Sequence, residues 1–183
     1  FNHDGFEDLA LGVPGENVGS AANAGAVNVI YGRNTGLSAT GNQLWHQNSP
    51  SVLGVAQAGD RFGAALACGD FNLDLFDDLA IGVPGESVGG AANAGAVNVL
   101  YGSNSGLTAA GNELWHQDSP EIQGVAEAGD LGGENPAIEV EAAAHRSRIA
   151  RGMHVDDVGA HGDGPAGRNP EAPRRGEDGE ALE

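Results

Sequence analysis

Large apolar side chains alternate with small ones along Asp78-Leu-Ala-Ile-Gly-Val83, where Leu79, Ile81 and Val83 stand against Ala80 and Gly82. A period of two marks a β-strand, because successive side chains leave a strand on opposite faces. Ala96–Tyr101 repeats the pattern with Val97, Val99 and Tyr101, and further strands fit Phe62–Cys68 and Glu113–Gln117. The same signals stand earlier in the chain at Asp8–Val13, Ala26–Tyr31 and Gln43–Gln47. Turn residues separate them. Val13-Pro14-Gly15 and Val83-Pro84-Gly85 place Pro before Gly, the order that suits a type II turn.

These strands belong to a repeat. Residues Phe1 to Asp60 recur without insertion as Phe71 to Asp130, and 43 of the 60 positions are identical. A fixed period means one supersecondary unit used again, each copy burying an apolar face against its neighbour. Four short strands per period describe a four-stranded antiparallel blade. Residues 1–60 then form a partial blade, 61–130 a full one, and 131–183 a tail. The small residues on one strand face let neighbouring sheets approach closely. Closed rings of such blades usually have four to eight, so the chain reads as a piece of a longer repeat protein. An open arc leaves a sheet edge and a blade face exposed, and self-association or marginal stability is expected of the isolated material.

After Asp130 the pattern stops where another strand was due. Residues 131–183 hold no aromatic residue and are low in complexity, with Gly, Pro, Arg and acids dominating from about Gly159. Such a composition buries too little surface to fold alone, so the tail is expected to be mostly disordered. One stretch carries helix signals: Asn135 as cap, Pro136 in the first turn, acids early, Arg146, Arg148 and Arg151 late, and Gly152 as stop. A short helix is expected between Pro136 and Arg151. Two readings of the tail stay open, an out-of-frame continuation of the repeats and a natural disordered terminus.

The charge narrows the choice of partners. The formal net charge is -18, and all eight bases are arginines. Phosphate binding needs clustered cations, so nucleic acid is excluded as a partner. No apolar run approaches the length needed to cross a bilayer. The lone cysteine, Cys68, lies between Ala67 and Gly69 and reads as a small buried thiol.

The sharpest chemical feature is Asp70-Phe-Asn72-Leu-Asp74-Leu-Phe76-Asp-Asp78. Side-chain oxygens stand at loop positions 1, 3, 5 and 9, and the Phe76 carbonyl is available at position 7. Alternating short side chains of this kind can wrap Ca2+, a hard ion that takes six to eight oxygens at about 2.3 to 2.6 Å. A bidentate carboxylate or a water would complete the shell. Two carboxylates about 4 Å apart repel by roughly 4 kcal/mol at an effective dielectric near 20. Between Asp60 and Tyr101 only Arg61 could offset that repulsion. Position 12 is Ile81 rather than Glu, so the loop is not an EF-hand. Position 6 is Leu75, where a left-handed backbone costs a non-glycine residue roughly 1 to 2 kcal/mol, and affinity is expected to be reduced. In the first copy Asn2, Asp4, Phe6 and Asp8 match positions 3, 5, 7 and 9, with Gly5 at position 6. Position 1 is missing there, and weak binding or none is expected.

Catalytic candidates are poor. His46 and His116 recur in Leu-Trp-His-Gln with no evident partner, and Ser49 and Ser119 precede Pro without a nucleophile motif. Trp45 and Trp115 are expected to pack between sheets. The Gly85–Gly95 segment lacks the Lys and spacing of a phosphate loop. No enzymatic activity is expected.

Phe62-Gly63, Gly82-Val83-Pro84 (Gly12-Val13-Pro14 in the other copy) and the acidic loop between them resemble the FG-GAP repeat of integrin alpha-chain propellers and their bacterial relatives. The resemblance covers residues 1–130. Leu75 departs from the family pattern D-x-D-x-D-G-x-x-D. The fold class it implies is all-β: an incomplete β-propeller of about two four-stranded antiparallel blades, with calcium clamped at a blade's edge. It also implies an extracellular or cell-surface location and a role in adhesion or binding of a protein or glycan ligand. Bacterial members often accompany hydrolase or lyase domains, so a propeller accessory to a secreted enzyme is an alternative reading, and a surface-protein spacer is another.

Overall fold

In a computed structural model that describes residues 1–130, the two copies build two antiparallel sheets. The first holds β1 (Leu9–Val13), β2 (Ala26–Tyr31) and β3 (Ser38–Trp45) in that order. The second holds β4 (Leu66–Gly69), β5 (Asp78–Val83), β6 (Ala96–Tyr101) and β7 (Thr108–Trp115). The all-β expectation holds, with one full four-stranded sheet and one of three strands. The helix expected at Pro136–Arg151, and the tail as a whole, lie outside the described residues.

The registers repeat as the sequence does. Leu9 stands opposite Ile30 in the first sheet, as Leu79 stands opposite Leu100 in the second. Both sheets shift register near their third strand, between Val29 and Tyr31 and between Val99 and Tyr101. That irregularity lets Tyr31 pair with Ser38 and Tyr101 with Thr108, so β3 and β7 begin five residues before the expected Gln43 and Glu113. Neither early segment alternates large and small apolar residues, which is why period two missed them. The strand expected at Phe62–Cys68 is shorter, because its first residues cross between the sheets. Phe62 N–H donates to the Ala24 carbonyl in the first copy (2.8 Å), and Gly63 N–H donates to the Gly82 carbonyl in the second (3.1 Å).

Residues opposite one another in register share a face, so each sheet has two distinct sides. One carries Leu79, Ile81, Asn98 and Leu100 in the second copy; the other carries Val27, Val29, Tyr31 and Trp45 in the first. These two sides meet and form the core with Phe62, Leu107 and Ala109. The contact runs one way only. Leu79, Ile81 and Leu107 are 0, 0 and 3% exposed, whereas their counterparts Leu9, Leu11 and Leu37 are 42, 50 and 55% exposed. Trp45 packs on the core as expected, but Trp115 is exposed on the corresponding side of the second sheet. Cys68 is also exposed, although it stands opposite the buried Leu79 in register, so the small buried thiol expected from its neighbours is not found. Its thiol pKa is nevertheless raised, by local desolvation first and then by Asp77.

Candidate metal centre

The loop between β4 and β5 takes the shape its residue types favour. Asn and Asp side chains readily accept backbone N–H groups two residues ahead. Here Asn72 Oδ1 accepts from Asp74 N–H (3.0 Å) and Asp74 Oδ1 from Phe76 N–H (2.9 Å). Asp70 closes the turn, Oδ1 taking Asp74 N–H and Oδ2 taking Leu75 N–H, both at 3.0 Å. Asn72 Nδ2 donates to Asp74 Oδ2 (2.9 Å). Asp70, Asn72 and Asp74 are therefore gathered on one turn, as the sequence pattern requires.

The backbone follows too. Leu75 adopts φ +77°, close to the +88° of Gly5 at the equivalent position. Leu73 and His3, one step past the position-3 amides, also take left-handed values of +63° and +56°. Two loops with different residues at these positions thus share one conformation, and the second holds it without glycine.

Asp78 is the fixed end of the loop. Its side chain is fully buried, with Oδ2 accepting from Phe71 N–H and Oδ1 from Gly102 N–H, both at 2.8 Å. Burial pushes its carboxyl pKa up. The two backbone donors oppose that rise, and Asp74 and Asp70 add to it. Gly102 can approach because it has no side chain: a Cβ there would stand 2.5 Å from the Asp77 carbonyl and 2.6 Å from Phe76 Cβ. The first copy repeats the staple. Asp8 accepts from the Phe1 ammonium (2.8 Å) and from Gly32 N–H (2.9 Å), and both ends of the ion pair are buried. Asn2, Asp4 and Phe6 form the same turn, Asp4 N–H donating to Asn2 Oδ1 and Phe6 N–H to Asp4 Oδ1. In both copies the nitrogen of the equivalent phenylalanine and the N–H of a glycine 24 residues beyond the aspartate hold its two carboxylate oxygens.

The donors around Asp70 are all oxygen, which suits a hard cation in kind. Each carboxylate oxygen that accepts one N–H keeps a further lone pair. Among the described residues, no group of three or more His, Cys, Asp or Glu side chains is arranged to hold a metal ion. Here two of the candidate donors, the Asn72 amide and the Phe76 carbonyl, belong to neither class.

The recurring histidines and serines are turn elements. Ser49 Oγ accepts from His46 N–H and Ser119 Oγ from His116 N–H, each at 3.0 Å, just past β3 and β7. Both imidazole Nδ1 atoms are buried without a hydrogen-bond partner. They stand past the strand ends rather than within an alternating strand.

Sequence reasoning missed the polar contact between the copies. Gln43 Nε2 donates to the Leu107 carbonyl (2.9 Å), and Gln43 Oε1 accepts from Leu107 N–H (3.1 Å) and Tyr31 Oη. Asn98 donates to the Leu53 carbonyl (2.9 Å), Asn112 donates to the Ser51 carbonyl (2.7 Å), and Gln47 donates to Glu86. The available signal was positional: amides recur within strands whose other residues are apolar.

Comparison with known proteins follows the same boundaries. The sequence profile of the FG-GAP repeat matches residues 1–30 and 62–100. Phosphatidylinositol-glycan-specific phospholipase D from Mus musculus is 40% identical over 105 residues, covering 57% of this chain and 12% of that protein. The Homo sapiens protein of that name is 38% identical over the same span. Integrin alpha-3 from Cricetulus griseus is 29% identical over 134 residues, covering 70% of this chain and 11% of the integrin. The chain spans roughly a ninth to an eighth of the length of these curated relatives.

Proposed function

The chain carries FG-GAP repeats, and from that premise we propose that residues 1–130 serve as a non-catalytic, calcium-stabilised part of an extracellular β-propeller that binds a protein or glycan ligand. One observation carries the calcium reading. The loop from Asp70 to Asp78 holds two acids and an amide in one turn whose left-handed Leu75 is tolerated without glycine, next to the buried Asp78, whose charge is disfavoured by burial first and by Asp74 and Asp70 further. Asp70, Asn72, Asp74, Asp78 and the Phe76 carbonyl would hold the ion. Its charge would offset the repulsion among the acids. Asn2, Asp4, Phe6 and Asp8 form the equivalent turn in the first copy and are the second candidate set.

Calorimetric titration of calcium into the chain and its Asp74→Ala variant tests this. Asp74 is exposed, so the substitution spares the core. Binding heat in the parent that is lost in the variant is expected. Absent heat in the parent, or identical heat in both, would refute the metal site.

A second reading has the repeats accompany a secreted hydrolase. The higher identity to the phospholipase-named relatives than to the integrin favours it. A catalytic domain encoded in the same protein would support it, with hydrolase activity retained when residues 1–130 are deleted. The described residues contain no helix long and apolar enough to cross a membrane.

A further inference from the structure

Gln47 lies at the seam between the two copies and leaves one end of its amide unsatisfied there. It is 2% exposed, and the two acids of this seam, Asp60 and Glu86, are 1 and 7% exposed. Gln47 Nε2 donates to Glu86 across the seam, and Oε1 is buried without a partner. The second copy shows another use of the same amide. Gln117 donates to the Val125 carbonyl (2.8 Å) and to Asp130 Oδ2 (2.6 Å). Asp130 Oδ2 also takes the Glu127 N–H, as Asp60 Oδ2 takes the Gln57 N–H. Val55 and Asp60 occupy the same places in the first copy, so Gln47 has a carboxylate to either side. While both acids are ionised, no orientation of the amide gives its carbonyl a donor. We propose that Glu86 carries a proton in the folded chain and donates it in a hydrogen bond to Gln47 Oε1, and that ionisation of Glu86 turns this amide over and loosens the seam.

One proton satisfies every group. The Glu86 O–H meets Gln47 Oε1, and the freed Nε2 takes the Asp60 carboxylate and the Val55 carbonyl, as Gln117 does in the second copy. When the proton leaves, Nε2 returns to the Glu86 carboxylate and Oε1 is orphaned, the arrangement seen here. A buried acceptor left unpaired carries the full cost of losing water. The surroundings favour the neutral acid: burial raises the Glu86 pKa first, the Gln47 bond opposes, and Asp60 adds to the rise. From its own copy, His116 and Asp118 line a cavity of about 260 Å3 with Glu86. Arg61, next to Asp60 in the chain, is exposed. With the folded pKa above the ordinary 4.5, the contribution of this bond is full below 4.5 and is lost as pH rises through the raised value. The inference rests on the seam between the copies and not on calcium.

Carbon-13 NMR of the side-chain carboxyls of the full chain in chelator, titrated between about pH 4 and 8, is the test. Glu86, assigned by through-bond correlation in the parent, is expected to titrate above 4.5. The Gln47 side-chain NH2 resonances should shift with the same midpoint, because the amide changes partner. Hydrogen exchange reads the seam itself. Phe62 N–H, bonded to the Ala24 carbonyl, and Leu107 N–H, bonded to Gln43 Oε1, join the copies. Their protection, corrected for the intrinsic pH dependence of exchange, should fall roughly fivefold as Glu86 ionises, the worth of one ordinary hydrogen bond. Glu86→Gln, which keeps a donor for Gln47 Oε1 at every pH, should abolish that fall, and His116→Gln should leave it in place. A Glu86 midpoint at or below 4.5 in the parent would overturn the proposal, as would Gln47 resonances that stay fixed through the titration. An equal fall in Glu86→Gln, or its loss in His116→Gln, would overturn the part of Glu86 in the seam.

Discussion

Leu79→Ala and Leu9→Ala make one chemical change at equivalent points of two nearly identical units, and the structure assigns them different consequences. Leu79 is wholly buried against the first sheet, between Leu100 on β6 and Cys68 on β4 in register. Leu9 pairs with Ile30 in the same way, but its face has no sheet across it and it is nearly half exposed. Truncating a buried leucine typically costs about 2 to 5 kcal/mol, the spread set by how far the cavity collapses. For Leu9 only partial burial is lost and no enclosed cavity is left, so the cost should stay below about 1 kcal/mol. Whole domains are stable by roughly 5 to 15 kcal/mol, so the difference is easily resolved. Urea unfolding followed by far-ultraviolet circular dichroism, at concentrations too low for association, measures both. The midpoint should fall strongly for Leu79→Ala and slightly for Leu9→Ala, with the denaturant slope unchanged. Equal losses would refute the one-way packing of the two copies.

Two further outcomes follow from the loop and the buried acids. Leu75→Gly relieves a left-handed conformation worth roughly 1 to 2 kcal/mol, against about 0.5 to 1 kcal/mol of glycine entropy. Because Leu75 is exposed, the variant should melt higher than the parent, and a lower melting temperature would contradict the strain. The pKa values of Asp60, Asp78 and Glu86 are all raised by burial, from ordinary values of 3.8, 3.8 and 4.5. The folded state therefore binds more protons than the unfolded one between those ordinary values and the raised ones, and stability falls as pH rises through that window. In chelator the melting temperature should be higher near pH 5 than near pH 7.5, and calcium should narrow the gap. A melting temperature that climbs with pH in chelator would contradict the shared cause.

Much of the fold was legible because β5, β6 and their earlier counterparts alternate cleanly, and because the repeat fixed their spacing. What escaped was governed by partners rather than by local pattern. Ser38–Asn42 and Thr108–Asn112 are strands only because a register shift brings Tyr31 and Tyr101 onto them. Phe62 and Gly63 read as strand but are drawn off by carbonyls of the two different copies. In the acidic loop, residue types and spacing predicted both the turn and the left-handed Leu75. The part of Asp78 as a staple to Gly102 was invisible, since it joins residues 24 apart. Exposure of Trp115 was likewise beyond period and composition, because it depends on which side of a sheet finds another sheet.

Repeated units that pack one way raise a question of specificity, since the surface that receives a neighbour recurs in every copy. The differences between the copies bear on this. The strands that build each sheet are almost unchanged, whereas the surface that receives the next copy differs at Gln43 and Glu113, Ser51 and Glu121, and Leu53 and Gln123. Each of these three differences exchanges a neutral or apolar residue for a charged or more polar one, while Val52 and Ile122 keep the surface apolar at their position. Nearby, Asn48 and Asp118 keep one role, each accepting the N–H eight residues ahead, while the second copy gains a charge. The fold tolerates these exchanges because they leave the alternating apolar positions intact. A packed neighbour does not tolerate them equally, since a carboxylate facing a carbonyl loses what an amide supplies. The amide Gln43 stands where the second copy is seated and the carboxylate Glu113 at the equivalent open position, so an exchange that leaves the unit folded changes what its surface can bind.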